Sequence, residues 1–259
     1  MLNHELKKAQ KTTKIEMELA HDIQRSLFPE QSVISEKWDI ALSFKPMYGV
    51  SGDFYDFYYD KESLIGLSIF DVSGHGVASA LITILAKPVF YRYFYLFKDE
   101  SLGRVIEIAN NTLKHDLSEV NMYITGILLR FMNDNVEYVN AGHPDLLYKS
   151  KTSAKVKIIS DVELNHKFHP IGFSDVSTCK SFKFTPQTGD IMLLYTDCIT
   201  ESYNIEKSRY GSERVIQSLE EAPEGTARET LDFLLERFYY FLDEGEIEDD
   251  FTMIVVKKI

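Results

Sequence analysis

The chain has 259 residues, of which 44% are hydrophobic, and its formal net charge is -12, with 40 acidic against 28 basic residues. This length supports one main folded domain, and the acidic balance argues against a nucleic-acid surface, which would need clustered Lys and Arg. No apolar run reaches the roughly 18 residues of a membrane span, and the two cysteines form no CxxC metal motif. We therefore expect a cytoplasmic protein with no nucleic-acid partner and no membrane contact in this chain.

The N-terminal segment 2–28 contains neither Gly nor Pro and predicts a helix that Pro29 ends. An apolar stripe recurs along it at intervals of four, at Ile15, Leu19, Ile23 and Leu27. The stripe has two alternative partners, the rest of the domain or a second copy of the helix in a homodimer. We assign residues 1–29 to a linker or regulatory helix that continues from an upstream sensor or receiver domain, and residues 30–259 to the main domain.

The remaining elements are predicted from apolar periodicity and from turn residues. Strands are predicted at 38–47, 53–59, 64–70, 123–132, 136–141, 155–160, 179–184, 191–196 and 252–258, and helices at 77–97, 102–118, 212–220 and 226–243. Runs of strands are followed by pairs of helices, without regular alternation. This order indicates an α+β fold with antiparallel sheets and segregated helices.

Aspartates recur where the apolar strands begin or end. They are Asp53, Asp56, Asp71, Asp197, Asp249 and Asp250. Each alone is typical of a turn or a cap, but a carboxylate against an apolar strand is costly unless it is solvated, hydrogen-bonded or paired with a cation. Hard divalent cations take oxygen ligands and relieve the repulsion between carboxylates. Taken together, the aspartates favour a shared metal site, although sequence spacing does not show that they converge.

The segment SIFDVSGHGVASAL, residues 68–81, leads an apolar strand through a glycine-containing turn into a helix. Gly74 and Gly76 permit backbone conformations that other residues disfavour, so the turn can hold Asp71 and the carbonyl of Val72 at one point. A phosphate-cradling loop is the competing interpretation. The absence of a GxxxxGK motif and of a lysine in the turn argues against a nucleotide P-loop.

Six motifs occur in order along the chain: VSGDFYD, DVSGHG, NAGH, PIGF, YTDCITES and DDFT. In this order they resemble the SpoIIE/RsbU-like branch of the PPM metal-dependent serine/threonine protein phosphatases, and the resemblance extends from about Glu18 to Ile259. It implies a four-layer α-β-β-α sandwich with two central antiparallel sheets, preceded by the N-terminal linker helix. It also implies two divalent cations, Mn²⁺ or Mg²⁺, at one edge of the sheets.

The same resemblance implies catalytic roles for four aspartates through these metals. Asp71 would bridge both ions, with the Val72 carbonyl as a further ligand. Asp197 and Asp249 would hold the second ion, and Asp53 would bind a metal directly or through water.

Other residues near these motifs have weaker assignments. Asp56 and Asp250 are weaker metal candidates, and Asp250 has the alternative role of orienting its neighbour. His75 is either a proton donor or a structural turn residue, and we expect His143 and Asn140 to fix a loop by hydrogen bonding.

The implied reaction is hydrolysis of a phosphoserine or phosphothreonine monoester by water activated between two metal ions. By analogy the substrate would be a phosphorylated STAS-domain anti-anti-sigma protein in a bacterial partner-switching pathway that regulates a sigma factor. Cys198 stands where the family usually has glycine, and a required positive φ would strain it. The alternative function is therefore a catalytically weak or inactive phosphoprotein-binding module. A nucleotide phosphodiesterase is disfavoured because no base-binding motif is recognisable.

Overall fold

The structure is a computed structural model that describes residues 2–29, 32–153, 155–159, 169–173, 179–243 and 245–259. Its helices are α1 (Leu2–Ser26), α2 (Val77–Leu96), α3 (Leu102–Glu119), α4 (Asp197–Glu201), α5 (Gly211–Glu221) and α6 (Ala227–Leu242). Its strands are β1 (Ser32–Ile34), β2 (Trp38–Lys45), β3 (Asp53–Asp60), β4 (Ser63–Val72), β5 (Ile124–Met132), β6 (Asn135–Ala141), β7 (Leu146–Lys149), β8 (Val156–Ile159), β9 (Phe182–Phe184), β10 (Ile191–Tyr195) and β11 (Phe251–Lys258).

The strands form two antiparallel sheets. Sheet A is six-stranded, in the order β1-β2-β11-β10-β7-β8, and sheet B is five-stranded, in the order β3-β4-β5-β6-β9. Short turns join neighbouring strands of sheet B, as at Asn133, whose positive φ of 43° lets the chain reverse between β5 and β6. The chain forms β1 and β2 in sheet A and β3 to β6 in sheet B, returns to sheet A for β7 and β8, adds β9 to sheet B, and ends in sheet A with β10 and β11.

Three apolar clusters define four layers. Inner faces of the two sheets meet in a central core, in which Leu42 of sheet A and Leu67 of sheet B are fully buried. Phe90 of α2 packs with α3 on the outer face of sheet B, and Phe238 of α6 packs with α5 on the outer face of sheet A. Burial of these faces at about 25 cal/mol per Å² of apolar surface is the main force that holds the layers together. The predicted α-β-β-α sandwich is confirmed.

The sequence-based element predictions are largely confirmed, with differences at short elements. The predicted strand 179–184 is shorter, Phe182–Phe184, and position 160 of the predicted strand 155–160 lies outside the described residues. β1, β7 and α4, with three, four and five residues, were missed, although β8, β9 and β10 are equally short and were predicted.

Helix α2 has the length and mean hydropathy of a membrane-spanning helix. Its buried residues Ala86, Phe90 and Phe94 nevertheless belong to the core between α2, α3 and sheet B. The apolar character of α2 therefore reflects packing within the domain.

The N-terminal helix contacts the domain mainly through its last turns. Phe28, just beyond α1, packs on Phe44 and Tyr55 at ring-centroid distances of 4.9 and 5.4 Å. Farther toward the N-terminus, Ile15 and Leu19 remain 55% and 60% exposed. The domain, which is one of the two predicted partners of the apolar stripe, therefore covers little of that stripe.

Candidate functional site

The aspartates predicted at strand ends come from both sheets. Asp53 opens β3, Asp71 lies near the end of β4, and the two residues are partners across the ladder of sheet B. Asp197 follows β10 as the first residue of α4, while Asp249 and Asp250 immediately precede β11. Sheet B thus supplies two of these residues and sheet A supplies three.

Their carboxylates act on one another through space. Burial, followed by the charges of Asp197, Asp249 and Asp250, raises the pKa of Asp71 well above its ordinary value. Burial, followed by the charge of Asp71, likewise raises the pKa of Asp53, which is 1% exposed. The structure therefore brings carboxylates from separate strand ends together at one negatively charged edge of the sandwich, where their charges disfavour ionisation of Asp53 and Asp71.

Two threonines hold Asp53 in place. Its Oδ2 accepts hydrogen bonds from Oγ1 of Thr196 at 3.0 Å and from Oγ1 of Thr252 at 2.5 Å. The same threonines join β10 to β11, since the backbone N–H of each donates to an oxygen of the other at 3.0 Å. Sequence analysis missed both residues. The available signal was their position, one residue before Asp197 and two residues after Asp250.

Asp250 orients the loop that precedes β3. Its Oδ1 accepts from the N–H of Met47 at 2.8 Å, and its Oδ2 accepts from the N–H of Gly52 at 2.7 Å. Both oxygens of Asp250 are therefore engaged by backbone amides. Two roles were predicted for Asp250, as a metal ligand or as a residue that orients its neighbours. These contacts support the orienting role.

The turn after β4 brings the Val72 carbonyl close to the loop before Asp53. Gly74 and Gly76 adopt φ values of 83° and 82°, which L-residues with side chains rarely adopt, as the sequence predicted. The Val72 N–H donates to the Gly52 carbonyl at 3.2 Å. A Cβ at position 52 would lie 2.8 Å from Ser79 Cβ and 3.1 Å from the Val72 carbonyl oxygen. Position 52 therefore requires glycine, because Ser79 and the Val72 carbonyl approach its Cα too closely to leave room for a side chain.

The donor set consists of carboxylate and carbonyl oxygens, which suit hard divalent cations. A bound cation would relieve the repulsion that raises the pKa values of Asp53 and Asp71. Within the described ranges, no group of three or more His, Cys, Asp or Glu side chains is already arranged around one point for a cation. In their chemistry, the residues at this edge nevertheless fit a divalent cation.

Comparison with known proteins assigns the family. The sequence profile described as Stage II sporulation protein E (SpoIIE) matches residues 61–258, more than half of the chain. The chain belongs to the SpoIIE family. It is therefore a PP2C-type phosphatase domain, as the order of the motifs indicated.

Two relatives of this SpoIIE-family chain come from Bacillus subtilis (strain 168). Phosphoserine phosphatase RsbP is 29% identical over 196 residues, which are 73% of this chain and 46% of RsbP. Phosphoserine phosphatase RsbU is 26% identical over an alignment of 263 residues, gaps included. The alignment covers 98% of this chain and 73% of RsbU. The chain thus spans less than half the length of one relative and about three quarters of the other.

Solved structures agree on the fold of the SpoIIE-family domain. The SiaA-PP2C domain of Pseudomonas aeruginosa superposes with a TM-score of 0.80 at 18% identity, covering 96% of this chain and 98% of that one. The catalytic domain of the phosphatase PstP, in complex with 2 manganese ions, superposes with a TM-score of 0.59 at 15% identity. The superposition covers 86% of this chain and 99% of the PstP domain. At these identities the likeness establishes the fold alone.

Asp56 lies apart from the charged edge of this SpoIIE-family domain. Its Oδ2 pairs with Nζ of Lys87 at 2.5 Å, and both side chains are largely buried. Residues 53 and 56 are separated by an odd number of positions, so their side chains point to opposite faces of β3. Asp56 is therefore a structural ion-pair residue. The alternation of side chains along a strand was the sequence signal that Asp56 and Asp53 face opposite sides of β3.

His143 and Asn140 fix the loop after β6, as predicted. The His143 N–H donates to Oδ1 of Asn140 at 2.8 Å, and Nδ2 of Asn140 donates to the His143 carbonyl at 3.1 Å. Nδ1 of His143 lies 2.9 Å from Oγ1 of Thr125, the cross-strand partner of Asp71. Burial lowers the pKa of His143 to about 3, so this imidazole is neutral near pH 7.

His75 occupies an exposed position in the turn after β4. Its ring centroid lies 5.2 Å from that of Tyr48, with the rings tilted by 39°. This ring contact is consistent with the structural interpretation of His75, and its predicted alternative as a proton donor stays a prediction.

Cys198 does not strain the backbone of this SpoIIE-family chain. It lies in the first turn of α4, where φ is negative. Its side chain is 3% exposed, and its Sγ donates to the Asp249 carbonyl at 3.5 Å. The expectation that cysteine displaces Asp197 through an unfavourable φ is wrong, because the segment after Asp197 is helical. The main reason for a decayed site is thereby removed.

Replacement of Cys198 by glycine is expected to destabilise the protein without increasing its activity. Glycine within a helix costs about 1 kcal/mol relative to alanine, and the substitution also removes a buried side chain. Cys198→Ala is the matched control, since it removes the thiol but preserves helix propensity. Thermal unfolding and kcat/KM for p-nitrophenyl phosphate measure the two effects. A severalfold higher kcat/KM in Cys198→Gly would show instead that cysteine restrains the site.

Helix α1 is hydrogen-bonded to the loop that positions Asp53. Nε2 of Gln24 donates to the Ser51 carbonyl at 2.7 Å, and the Ser51 N–H donates to Oε1 of Gln24 at 2.8 Å. Oγ of Ser51 in turn accepts from the N–H of Asp53 at 3.0 Å. Gln24 is 2% exposed, although most of the α1 side chains that the structure describes are exposed. Sequence analysis missed Gln24, because no local pattern distinguishes a buried glutamine from the exposed polar residues around it on α1.

Proposed function

We propose that the chain is a metal-dependent phosphatase that hydrolyses phosphoserine or phosphothreonine monoesters in proteins. The observation that carries this proposal is the convergence of Asp53 and Asp71 from one sheet with Asp197 and Asp249 from the other, in a chain of the SpoIIE family. The naming of RsbP and RsbU as phosphoserine phosphatases supports the same reaction.

In this proposal Asp53, Asp71, Asp197, Asp249 and the Val72 carbonyl hold two divalent cations, Mn²⁺ or Mg²⁺. The presence of two manganese ions in PstP supports the choice of cation. When bound, the cations supply a polarised water as nucleophile and charge neutralisation for the phosphoryl oxygens.

The protein's own residues prepare this site. Thr196 and Thr252 fix one Asp53 oxygen, so this carboxylate keeps its orientation. Asp250 holds the loop before β3 through the N–H groups of Met47 and Gly52. Such supporting hydrogen bonds fix the positions of ligands, and their loss typically costs 10–100-fold in metal affinity or activity.

The proposed substrate is a phosphorylated STAS-domain anti-anti-sigma protein, within a cytoplasmic partner-switching pathway that controls a sigma factor. The relation to RsbU supports this pathway class. Two buried cysteine thiols, Cys179 and Cys198, are compatible with a reducing compartment.

We propose further that α1 regulates the site and mediates a homodimer. The exposed side chains of Ile15, Leu19 and Ile23 support pairing with a second copy, since they repeat at helical intervals and the domain leaves them uncovered. The hydrogen bonds of Gln24 to Ser51 would pass a change in α1, or in an upstream sensor or receiver domain, to the loop before Asp53.

Removal of divalent cations is expected to abolish turnover, and Mn²⁺ is expected to restore it. Hydrolysis of p-nitrophenyl phosphate and of a phosphoserine peptide would be measured after chelation and after readdition of Mn²⁺, with chelator preloaded with Mn²⁺ as the control. A cation at 100 times its Kd should also stabilise the fold by about 2.7 kcal/mol, which is measurable as a higher Tm. Turnover that persists after exhaustive chelation would contradict the proposed function.

A further inference from the structure

A groove of about 710 Å³ begins directly beside the candidate metal centre. Cys198 and Asp249 are among the residues that line it. One wall is the loop 202–209 and the other is the segment 245–249. We call this feature the flanking groove. Its volume lies in the range of roughly 300–1,000 Å³ that is typical of ligand sites.

The loop 202–209 is held in shape by its own hydrogen bonds. Tyr203 and Arg209 form an antiparallel bridge, and the Ser208 N–H donates to Oδ1 of Asn204 at 2.8 Å. Arg209 is held in turn by two hydrogen bonds. Its Nε donates to the Thr200 carbonyl at 2.9 Å, and its Nη2 donates to Oε1 of Glu201 at 2.6 Å. A wall that is ordered before binding loses little conformational entropy when a ligand binds.

Two apolar side chains on this wall remain exposed. Tyr203 is 50% exposed and Ile205 is 60% exposed, and both line the flanking groove. The opposite wall approaches closely, because a Cβ at position 245 would lie 2.8 Å from the Tyr203 carbonyl oxygen. The two walls are therefore in contact at this point, and the apolar side chains of Tyr203 and Ile205 remain exposed beside it.

Outside the metal ligands, three acidic and two basic side chains line the flanking groove, which gives it a net charge of -1. Arg209 is paired with Glu201 across 2.6 Å, so these two charges offset each other. Glu246 and Glu248 are exposed on the opposite wall, against Lys207 on the loop. A basic group in a bound ligand would therefore find complementary charge next to the apolar pair.

We propose that the flanking groove binds the stretch of substrate polypeptide next to the phosphorylated residue. It selects a stretch with an apolar side chain against Tyr203 and Ile205 and a basic side chain against Glu246 and Glu248. This inference rests on the proposed function, because a polypeptide reaches the groove only if its phosphoserine lies at the neighbouring metal centre. Tyr203, Ile205, Glu246 and Glu248 are specificity residues in this account and do not touch the reacting atoms.

The test compares two phosphoserine peptides on the full chain with Mn²⁺. One peptide carries Lys and Leu beside the phosphoserine, and the other carries Glu and Ser at the same positions. The variants are Tyr203→Ala/Ile205→Ala and Glu246→Gln/Glu248→Gln. Tyr240→Ala is the matched control, since Tyr240 is 85% exposed on α6 and does not line the groove. Each peptide kcat/KM is divided by the kcat/KM for p-nitrophenyl phosphate, which cancels general losses at the metal centre.

Wild type is expected to prefer the Lys/Leu peptide about tenfold, which corresponds to about 1.4 kcal/mol. Both double variants should lose this preference through KM, and Tyr240→Ala should keep it. A preference that survives in both double variants would overturn the inference.

A binding measurement separates this inference from the proposed function. Fluorescence anisotropy of the unphosphorylated Lys/Leu peptide reports on the flanking groove without any turnover. If wild type failed to hydrolyse p-nitrophenyl phosphate with Mn²⁺, the proposed function would fail, and the groove would be judged by binding alone. Weaker binding in both double variants, by about fivefold, would support the groove, and equal binding in all variants would refute it.

Discussion

Replacement of Asp71 by asparagine is expected to abolish Mn²⁺-dependent phosphatase activity and, at the same time, to stabilise the metal-free protein. Asp71 is the carboxylate on which Asp197, Asp249 and Asp250 all act, so it lies at the centre of the charged edge. Loss of several kcal/mol of charge stabilisation would lower kcat/KM about a thousandfold.

The increase in stability has the same electrostatic origin. Burial and neighbouring negative charges disfavour the ionised Asp71 carboxylate in the metal-free fold, and asparagine removes that charge while keeping a similar shape. Relief of about 1 kcal/mol would raise Tm by roughly 2–4 °C in a domain of this size. Thermal unfolding near pH 8 in chelator would detect it, because the carboxylates are then most ionised.

Asp60→Asn is the matched control for Asp71→Asn. Asp60 lies at the opposite end of β3 and is exposed, so its replacement should change neither kcat/KM nor Tm appreciably. An Asp71→Asn protein with wild-type turnover would contradict the assignment of the metal centre. One with a lower metal-free Tm would contradict the electrostatic account of the charged edge.

Replacement of Gln24 by alanine is expected to weaken metal binding and to lower kcat/KM about tenfold at limiting Mn²⁺, in the range typical of residues that support metal ligands. The substitution removes both hydrogen bonds to Ser51, whose Oγ accepts from the Asp53 N–H. A buried donor or acceptor left without a partner costs about 1–3 kcal/mol, so the loop before Asp53 would become less ordered.

The dependence on Mn²⁺ distinguishes the two substitutions. In Gln24→Ala every proposed ligand remains, so saturating Mn²⁺ should restore most of the turnover, whereas Asp71→Asn should stay inactive at any concentration. Gln217→Ala is the matched control, because Gln217 lies exposed on α5 and bonds only within its own helix in the contacts described, to Glu221 at 2.8 Å. An unchanged Mn²⁺ titration in Gln24→Ala would show that α1 is not coupled to the site.

The sequence predicted the layers of the fold because each layer carries a periodic signal. Strand β2 alternates at period two, and α6 begins with a Thr226 and Glu229 capping box that is visible as T-x-x-E. Short elements such as β7 and α4 give only a weak signal, since four residues complete two periods of a strand and five residues little more than one turn of a helix.

The candidate site was predictable residue by residue, but its assembly was not. Asp53 and Asp71 were identifiable at their strand ends, yet their approach to Asp197 depends on how sheet B packs on sheet A. The hydrogen bonds from Thr196 and Thr252 to Asp53 were equally unpredictable from the sequence, because they span 143 and 199 residues. Contacts of that range follow from the tertiary fold and leave no local pattern.

Cys198 illustrates the opposite error. Its departure from the family glycine suggested a strained and weakened site, because glycine after a turn often marks a positive φ. The chain instead enters α4 directly after Thr196, and a cysteine there adopts ordinary helical geometry. Whether a glycine is required depends on the backbone conformation at that position, which the motif alone does not specify.

The most direct test is phosphate release from a phosphorylated STAS-domain protein by the full chain, with Mn²⁺ and after chelation, in wild type and in Asp71→Asn. The account predicts release by wild type only with Mn²⁺, and none by Asp71→Asn under either condition. Release that is independent of Mn²⁺, or that persists in Asp71→Asn, would contradict the claim that the carboxylates joined from the two sheets form a metal-dependent phosphatase site.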